Sequence, residues 1–178
     1  MAKIRPMQMI CLPAYYMFFK YLPSSTTPLI GSLCRKLRYI VCKVIFKKMG
    51  KNVNVERGAS FGLGSNIEIG DNSGIGINAR IPDDIIIGNN VMMAPNCYIL
   101  KMNHNFANTE IPMIAQQYSE KKQTIIEDDV WIGLNVTFTP GRTVKKGSVV
   151  AAGCVLCKDF PEYSIIGGNP AKLIRSRK

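Results

Sequence analysis

The chain holds a single histidine, His104, flanked by Asn103 and Asn105. An imidazole with an ordinary pKa of about 6.5 is the side chain best suited to take a proton from a hydroxyl at neutral pH. The competing reading is a solvated or core histidine without chemistry, and only its place in the fold separates the two. Six cysteines are present: Cys11, Cys34, Cys42, Cys97, Cys154 and Cys157. Cys154 and Cys157 form a Cys-x-x-Cys, but a structural zinc needs four ligands and no second pair stands at suitable spacing. No metal is expected. A disulfide scaffold fits poorly in a 178-residue chain with a core of its own, whereas reduced thiols in the cytoplasm fit well. No Gly-rich phosphate loop of the P-loop or Rossmann kind precedes a helix.

The elements that must position these groups are written in a six-residue period. Leu63, Ile69, Ile75, Ile81, Ile87, Met93 and Ile99 form one row of large apolar residues, and Ile126, Ile132, Phe138, Val144, Val150 and Leu156 resume it. The fourth position of each hexad reads Asn66, Asn72, Asn78, Asp84, Asn90 and Asn96, then Asp129, Asn135, Gly141, Gly147, Gly153 and Asp159. All are residue types that tolerate a left-handed backbone or close a turn through their own side chain. The fifth position, from Ile67, Ser73 and Ala79 onwards, is mostly small or apolar and is expected to point inward, with Arg142 as the anomaly. A helix would smear a period of six around its surface, and hairpins would alternate every second residue. Short strands joined by identical bends and stacked as coils produce the pattern. The expected fold is therefore mainly β, a parallel β-helix.

The row breaks after Ile99 and resumes at Ile126, so residues 102–124 must protrude as a loop, with His104 at its root. Long loops without structure of their own in compact domains are usually functional or disordered.

The formal charge of +11 is unevenly spread. Residues 1–50 hold Lys3, Arg5, Lys20, Arg35, Lys36, Arg38, Lys43, Lys47 and Lys48 and no acid. The main domain is close to neutral, which argues against nucleic acid as the partner. Leu33, Leu37, Ile40, Val41, Val44 and Ile45 recur at helical spacing. Two readings of this basic amphipathic segment stay open: a cap on the first coil, or a peripheral anchor on the anionic inner face of the cytoplasmic membrane. No apolar run reaches the roughly 18 residues of a membrane span, and Pro13 and Lys20 interrupt the stretch that could pass for a signal peptide. The expected division is 1–50 for the helical segment, 51–166 for the β-helix and 167–178 for a basic tail.

The hexads, the loop carrying Asn103-His104, the run Val130-Trp131-Ile132-Gly133 and the ending Gly167-Gly168-Asn169-Pro170-Ala171-Lys172 resemble the hexapeptide-repeat acyltransferases. The similar branch holds maltose, galactoside and nodulation-type acetyltransferases and the capsule or exopolysaccharide O-acetyltransferases. The resemblance spans about residues 50–176. It implies a left-handed coil, a homotrimer, and acetyl-CoA lying between neighbouring prisms. It also implies that His104 deprotonates a sugar or glycan hydroxyl. Positions matching the family's CoA contacts are Gly133, Ala152, Cys157, Lys158, Lys172 and Arg175, with Trp131 along the same groove. The acceptor-binding candidates are Asn78, which also reads as a coil-corner asparagine, and Asn103. The family often has Ser where Leu134 stands and Thr where Cys157 stands. An antibiotic-modifying O-acetyltransferase and a non-catalytic scaffold remain as alternatives.

Overall fold

A computed structural model of the chain describes residues 5–178. Lys3, one of the nine N-terminal cations, lies outside the described residues. The β-helix is present as expected: a solenoid of parallel strands, about six turns, wound left-handed. Strands are two residues long because each side of the prism needs only one outward and one inward side chain before the next bend. The first face stacks Lys48–Met49, Glu68–Ile69, Ile86–Ile87, Ile125–Ile126 and Thr143–Val144. The second carries Asn54–Val55, Gly74–Ile75, Met92–Met93, Trp131–Ile132, Val149–Val150 and Ser164–Gly167. The third carries the bridge Ser60–Arg80–Tyr98, then Tyr98–Ile99, Thr137–Phe138 and Val155–Leu156.

The first-position row is buried from Ile69 to Leu156, and so are the fifth-position residues apart from Arg142 and Phe160. Two inward residues per hexad make a core running the length of the prism. Leu63 is a correction: it is half-exposed, and Phe61 fills the core instead. This coil carries two extra residues, so counting back by six from Ile69 lands in a bend. Gly62 and Gly64, both at positive φ, make that bend, and a Cβ on Gly64 would strike the Phe61 ring at 2.9 Å.

The corner residues behave as their types dictate. Asn72, Asn78, Asn90, Asn96, Asp129 and Asn135 have φ of 55–59°, and Gly141, Gly147 and Gly153 have φ of 67–70°. Asn66, Asp84 and Asp159 do not adopt the left-handed conformation. Arg142 leaves the core at a corner, where Nη1 donates to the Cys157 carbonyl at 3.2 Å and faces Asp159 at 3.5 Å.

Helices α1 (Pro6–Met17) and α2 (Gly31–Ile45) close the open end of the first coil. Tyr15 and Phe46 pack on Phe61 with ring centroids 4.6 and 4.9 Å apart. Of the apolar positions expected on α2, Val41 and Ile45 are buried while Leu33 and Ile40 face out. The inward face is completed by Cys34, Cys42 and Arg38. Arg38, fully buried, is held there because its guanidinium donates to the carbonyls of Val55, Leu22 and Pro23 and faces Glu56 at 3.5 Å. At the other end the expected tail folds back: Lys172–Ser176 pairs antiparallel with Ser164–Gly167, and Ala171 is buried.

Candidate active site

The loop that carries His104 is built as an arm rather than a loose strap. It leaves the prism after Leu100 at the edge between the third and first faces and returns at Ile125. Its two limbs pair: Asn105 N–H donates to Gln117 O at 3.0 Å, and Ser119 N–H donates to Asn103 O at 2.8 Å. His104 lies between these bonds, bridged to Tyr118, whose ring stands 4.3 Å from the imidazole centroid at 34°. The imidazole is exposed, and stacking on Tyr118 restrains its swing without burying its nitrogens. Asn103 is held through its backbone, its carbonyl also accepting from Ser119 Oγ at 3.0 Å. A cleft of about 360 Å³ at the arm's root is lined by Asn103, Glu120, Lys122 and Arg142. Tyr118 was not legible as a site residue, because nothing in residue spacing tells which limb of an insertion faces which.

The edge between the second and third faces is a continuous backbone ladder. Gly58 N–H donates to Lys20 O, Asn78 N–H to Arg57 O, Asn96 N–H to Ile77 O, Asn135 N–H to Pro95 O and Gly153 N–H to Leu134 O, all at 2.7–3.1 Å. Gly133 and Ala152 sit on this edge. Gly133 is small for a structural reason: a Cβ there would stand 2.6 Å from the Ala152 nitrogen of the next coil. The exposed N–H groups of Leu134 and Ala152 donate to no acceptor among the described residues. Unpartnered backbone donors are of the kind that can hold a thioester oxygen or an amide of a bound chain.

The other expected residues spread around this edge. Residues Gly168–Ala171 close the bottom of the third face, with Ala171 N–H donating to Val155 O at 3.1 Å, and Lys172 pairs with Gly167 in the strand beneath the last coil. Arg175 is exposed in the same strand, paired with Ile165 on the second face. Trp131 stands outward on the second face, half-exposed, between Met92 and Val149. Cys157 and Lys158 occupy the opposite edge of the third face, the one that carries the arm. Lys158 stands over the Phe160 ring at 5.4 Å. Among the described residues, Lys158, Lys172 and Arg175 meet no carboxylate, so their charge is available to a phosphate.

Asn78 does what its residue type requires at a corner, with φ 55° and Nδ2 donating to Asn96 Oδ1 at 3.3 Å, yet it also lines a cavity at the upper end of the ladder edge. Cys154 is fully buried and burial raises its thiol pKa, while Cys157 is exposed. No cluster of metal-ligating side chains exists among the described residues.

Known proteins share both the repeat and the architecture. Residues 66–101 match the bacterial transferase hexapeptide (six repeats), and 123–158 match the hexapeptide repeat of succinyl-transferase. A chloramphenicol acetyltransferase of Agrobacterium fabrum is 43% identical over 68 residues, covering 38% of this chain and 32% of its own. The chain spans less than half the length of the curated relatives it matches. A hexapeptide-repeat acetyltransferase structure from Vibrio cholerae aligns with TM-score 0.78 and 28% identity over 100% of this chain and 94% of its own. A galactoside acetyltransferase in complex with coenzyme A aligns with TM-score 0.76 and 29% identity, covering 97% of this chain and 81% of its own.

Proposed function

We propose, from the chain's hexapeptide repeats and its likeness to hexapeptide-repeat acetyltransferase structures, that it is an acetyl-CoA-dependent O-acetyltransferase acting on a hydroxyl of a sugar or polysaccharide precursor, with His104 as general base. One observation carries this reading. The sole histidine is mounted on a paired arm at the single break in the solenoid, stacked on Tyr118 and open to a ligand. A histidine without a role has no need of such a mounting.

In this reading the imidazole takes the acceptor's hydroxyl proton as the oxygen attacks the thioester carbonyl carbon. Negative charge collects on the carbonyl oxygen, and the free N–H groups of Leu134 or Ala152 donate to it. Collapse breaks the carbon–sulfur bond, and the departing thiolate takes the proton back from the imidazolium. No covalent enzyme intermediate is required. Lys158, Lys172 and Arg175 would hold the phosphates of CoA, with Gly133, Ala152, Cys157 and Trp131 flanking its pantetheine arm. Asn78 and Asn103 would face the acceptor. The arm and the Gly133–Ala152 edge lie at opposite edges of the third face. A site that unites them draws on two protomers, which supports the homotrimer.

A cytoplasmic enzyme of this kind suits a glycan precursor. Among the described residues no helix is long and apolar enough to cross a membrane. The outward Leu33 and Ile40 beside Lys36 and Lys43 support peripheral contact with an anionic leaflet, which failure to sediment with anionic vesicles would refute. The antibiotic-hydroxyl reading has its own support in the chloramphenicol acetyltransferase relatives. Thiol release from acetyl-CoA with a panel of sugars, nucleotide-sugars and chloramphenicol separates the two. If no member of the panel stimulates release and CoA does not bind, the enzyme reading falls.

A further inference from the structure

The upper end of the ladder edge carries a second cluster of cations that acetyl-CoA phosphates do not account for. A cavity of about 480 Å³ opens there, lined by Lys20, Tyr21, Arg57, Gly58, Asn78 and Arg80. No carboxylate lines it, and none of its three cations meets a carboxylate among the described residues. Other cations of the coils and the arm are paired: Lys47 with Glu68, Lys101 with Asp83, Lys121 with Asp84 and Lys145 with Glu127. Three cations left unpaired around one concavity repel one another. The arrangement gains most when an anion enters.

The cluster is positioned rather than accidental. Lys20 is fixed by its own carbonyl, which accepts from Gly58 N–H at 2.9 Å, and its ammonium lies 5.4 Å from the Tyr16 ring and 5.9 Å from the Tyr21 ring. Arg57 is held by the Asn78 N–H on its carbonyl, and by Glu56, whose carboxylate accepts the Arg57 backbone N–H at 3.2 Å. Arg80 belongs to the bridge Ser60–Arg80–Tyr98, with its guanidinium carbon 5.8 Å from the Tyr98 ring centroid. The two guanidiniums extend from adjacent coils, so they stand about 5 Å apart in backbone height. From Arg57 to Gly153 the ladder descends four coils, about 19 Å. The cavity is thus on the same edge as Gly133 and Ala152 but well above them.

We infer that this cavity is an anion subsite for the acceptor, so that the acceptor is a sugar carrying a phosphate or a carboxylate rather than a neutral one. The inference rests on the acetyltransferase reading only for the word acceptor; the anion site stands on the cation cluster itself. Two arginines donating to one anion make charge-assisted hydrogen bonds, and each is expected to contribute about tenfold or more in affinity.

The test is calorimetric titration of the whole chain, with CoA saturating so that CoA's own phosphate contacts are already filled. Glucose 1-phosphate, glucuronate and glucose are the probes. The expected result is that an anionic sugar binds at least about tenfold more tightly than glucose, and that Arg57→Gln with Arg80→Gln removes the preference. Preference for glucose 1-phosphate alone identifies a phosphate, and equal preference for glucuronate identifies any anionic sugar. Both side chains are exposed, so the double variant is expected to keep the wild-type melting temperature and CoA affinity. Four outcomes overturn the inference: glucose binding as tightly as the anionic sugars, no anionic sugar binding, a preference that survives the double variant, or a double variant that loses CoA. If the anionic sugar binds but is never acetylated, the acetyltransferase reading falls and the anion site remains.

Discussion

The coils and the arm of this protein are opposite solutions to placing a side chain. In the coils each backbone N–H that points along the prism finds a carbonyl one coil away. Within each run of hexads, a residue's place in the six-residue period then fixes whether it faces the core, the solvent or a corner. In the arm two irregular limbs pair through a few bonds around Asn103 and Asn105, and its residues from 102 to 114 are all exposed. In the function proposed above, the coils would supply fixed donors and cations, while the arm would carry the histidine. A general base must approach a substrate that comes and goes. Residues that hold phosphates and a developing oxyanion must not move. The division of labour follows the division of stiffness.

The comparison breaks most visibly if a core residue is removed. Phe138 is fully buried in the row, in the coil beyond the arm. Phe138→Ala should lose about 3–5 kcal/mol in denaturant unfolding, with the transition losing cooperativity if single coils unravel. His104→Ala is expected to do the reverse: about a hundredfold loss of kcat, with unchanged melting temperature and CoA affinity. A His104 variant that melts early would make the histidine structural and would erase the contrast. Tyr118→Ala sharpens it, with a smaller rate loss because it removes only the restraint on the imidazole.

The corner positions give a finer test. Asn90 holds φ 56° and accepts from Asn72 Nδ2 at 3.3 Å. Asn90→Ala should cost about 1–2 kcal/mol, since alanine keeps the Cβ strain of the left-handed region without the local side-chain hydrogen bonding that makes asparagine tolerable there, and Asn90→Gly should cost less. Equal losses would mean that the side-chain ladder, not the backbone conformation, selects asparagine.

Most of the coil region was legible because a solenoid converts sequence period directly into geometry. Ile69 to Leu156 in the core, the left-handed corners and the arm's place of exit all follow from counting. Counting failed where a coil departs from six. Two extra residues between Phe61 and Ile69 displaced the expected row onto Leu63. The helical cap failed differently: α2 was read from its apolar spacing, yet buried Arg38 takes a core place and Leu33 does not. The carbonyls of Leu22, Pro23 and Val55 and the carboxylate of Glu56, which come from distant segments, make that arginine tolerable. The same limit hid the Lys20–Arg57–Arg80 cavity. Its members are 37 and 23 residues apart in the chain and meet only because Lys20 is bonded to the corner at Gly58.

The smallest expected effect concerns the join between cap and coils, and it is confined to acid. Glu56 is nearly buried, which by itself would raise its pKa. The Ser25 hydroxyl and N–H, Asn54 Nδ2 and the Arg57 N–H all donate to it, and together they hold the carboxyl below the usual 4.5. A folded-state pKa below the unfolded one contributes stability that is complete above about pH 4.5 and is lost as pH falls through the folded value. Wild-type denaturation midpoints should therefore fall between pH 5 and pH 3. Glu56→Gln should unfold more easily at pH 7, because Arg38 keeps its carbonyl partners but loses its countercharge, and its midpoint should fall less on acidification. A variant whose midpoint falls as steeply as wild type would move the acid sensitivity to another carboxylate. Glu68 is the alternative, its pKa also lowered, chiefly by the hydrogen bond from Lys47, but on an exposed face where salt should weaken the effect. Repeating the titration at high ionic strength separates the two. A Glu56 effect persists because its hydrogen-bond donors and Arg38 meet it in a nearly buried site that salt screens little, whereas a Glu68 effect fades. That outcome decides whether the cap is held by the same kind of fixed dipoles that hold the coils, or by a surface charge pair.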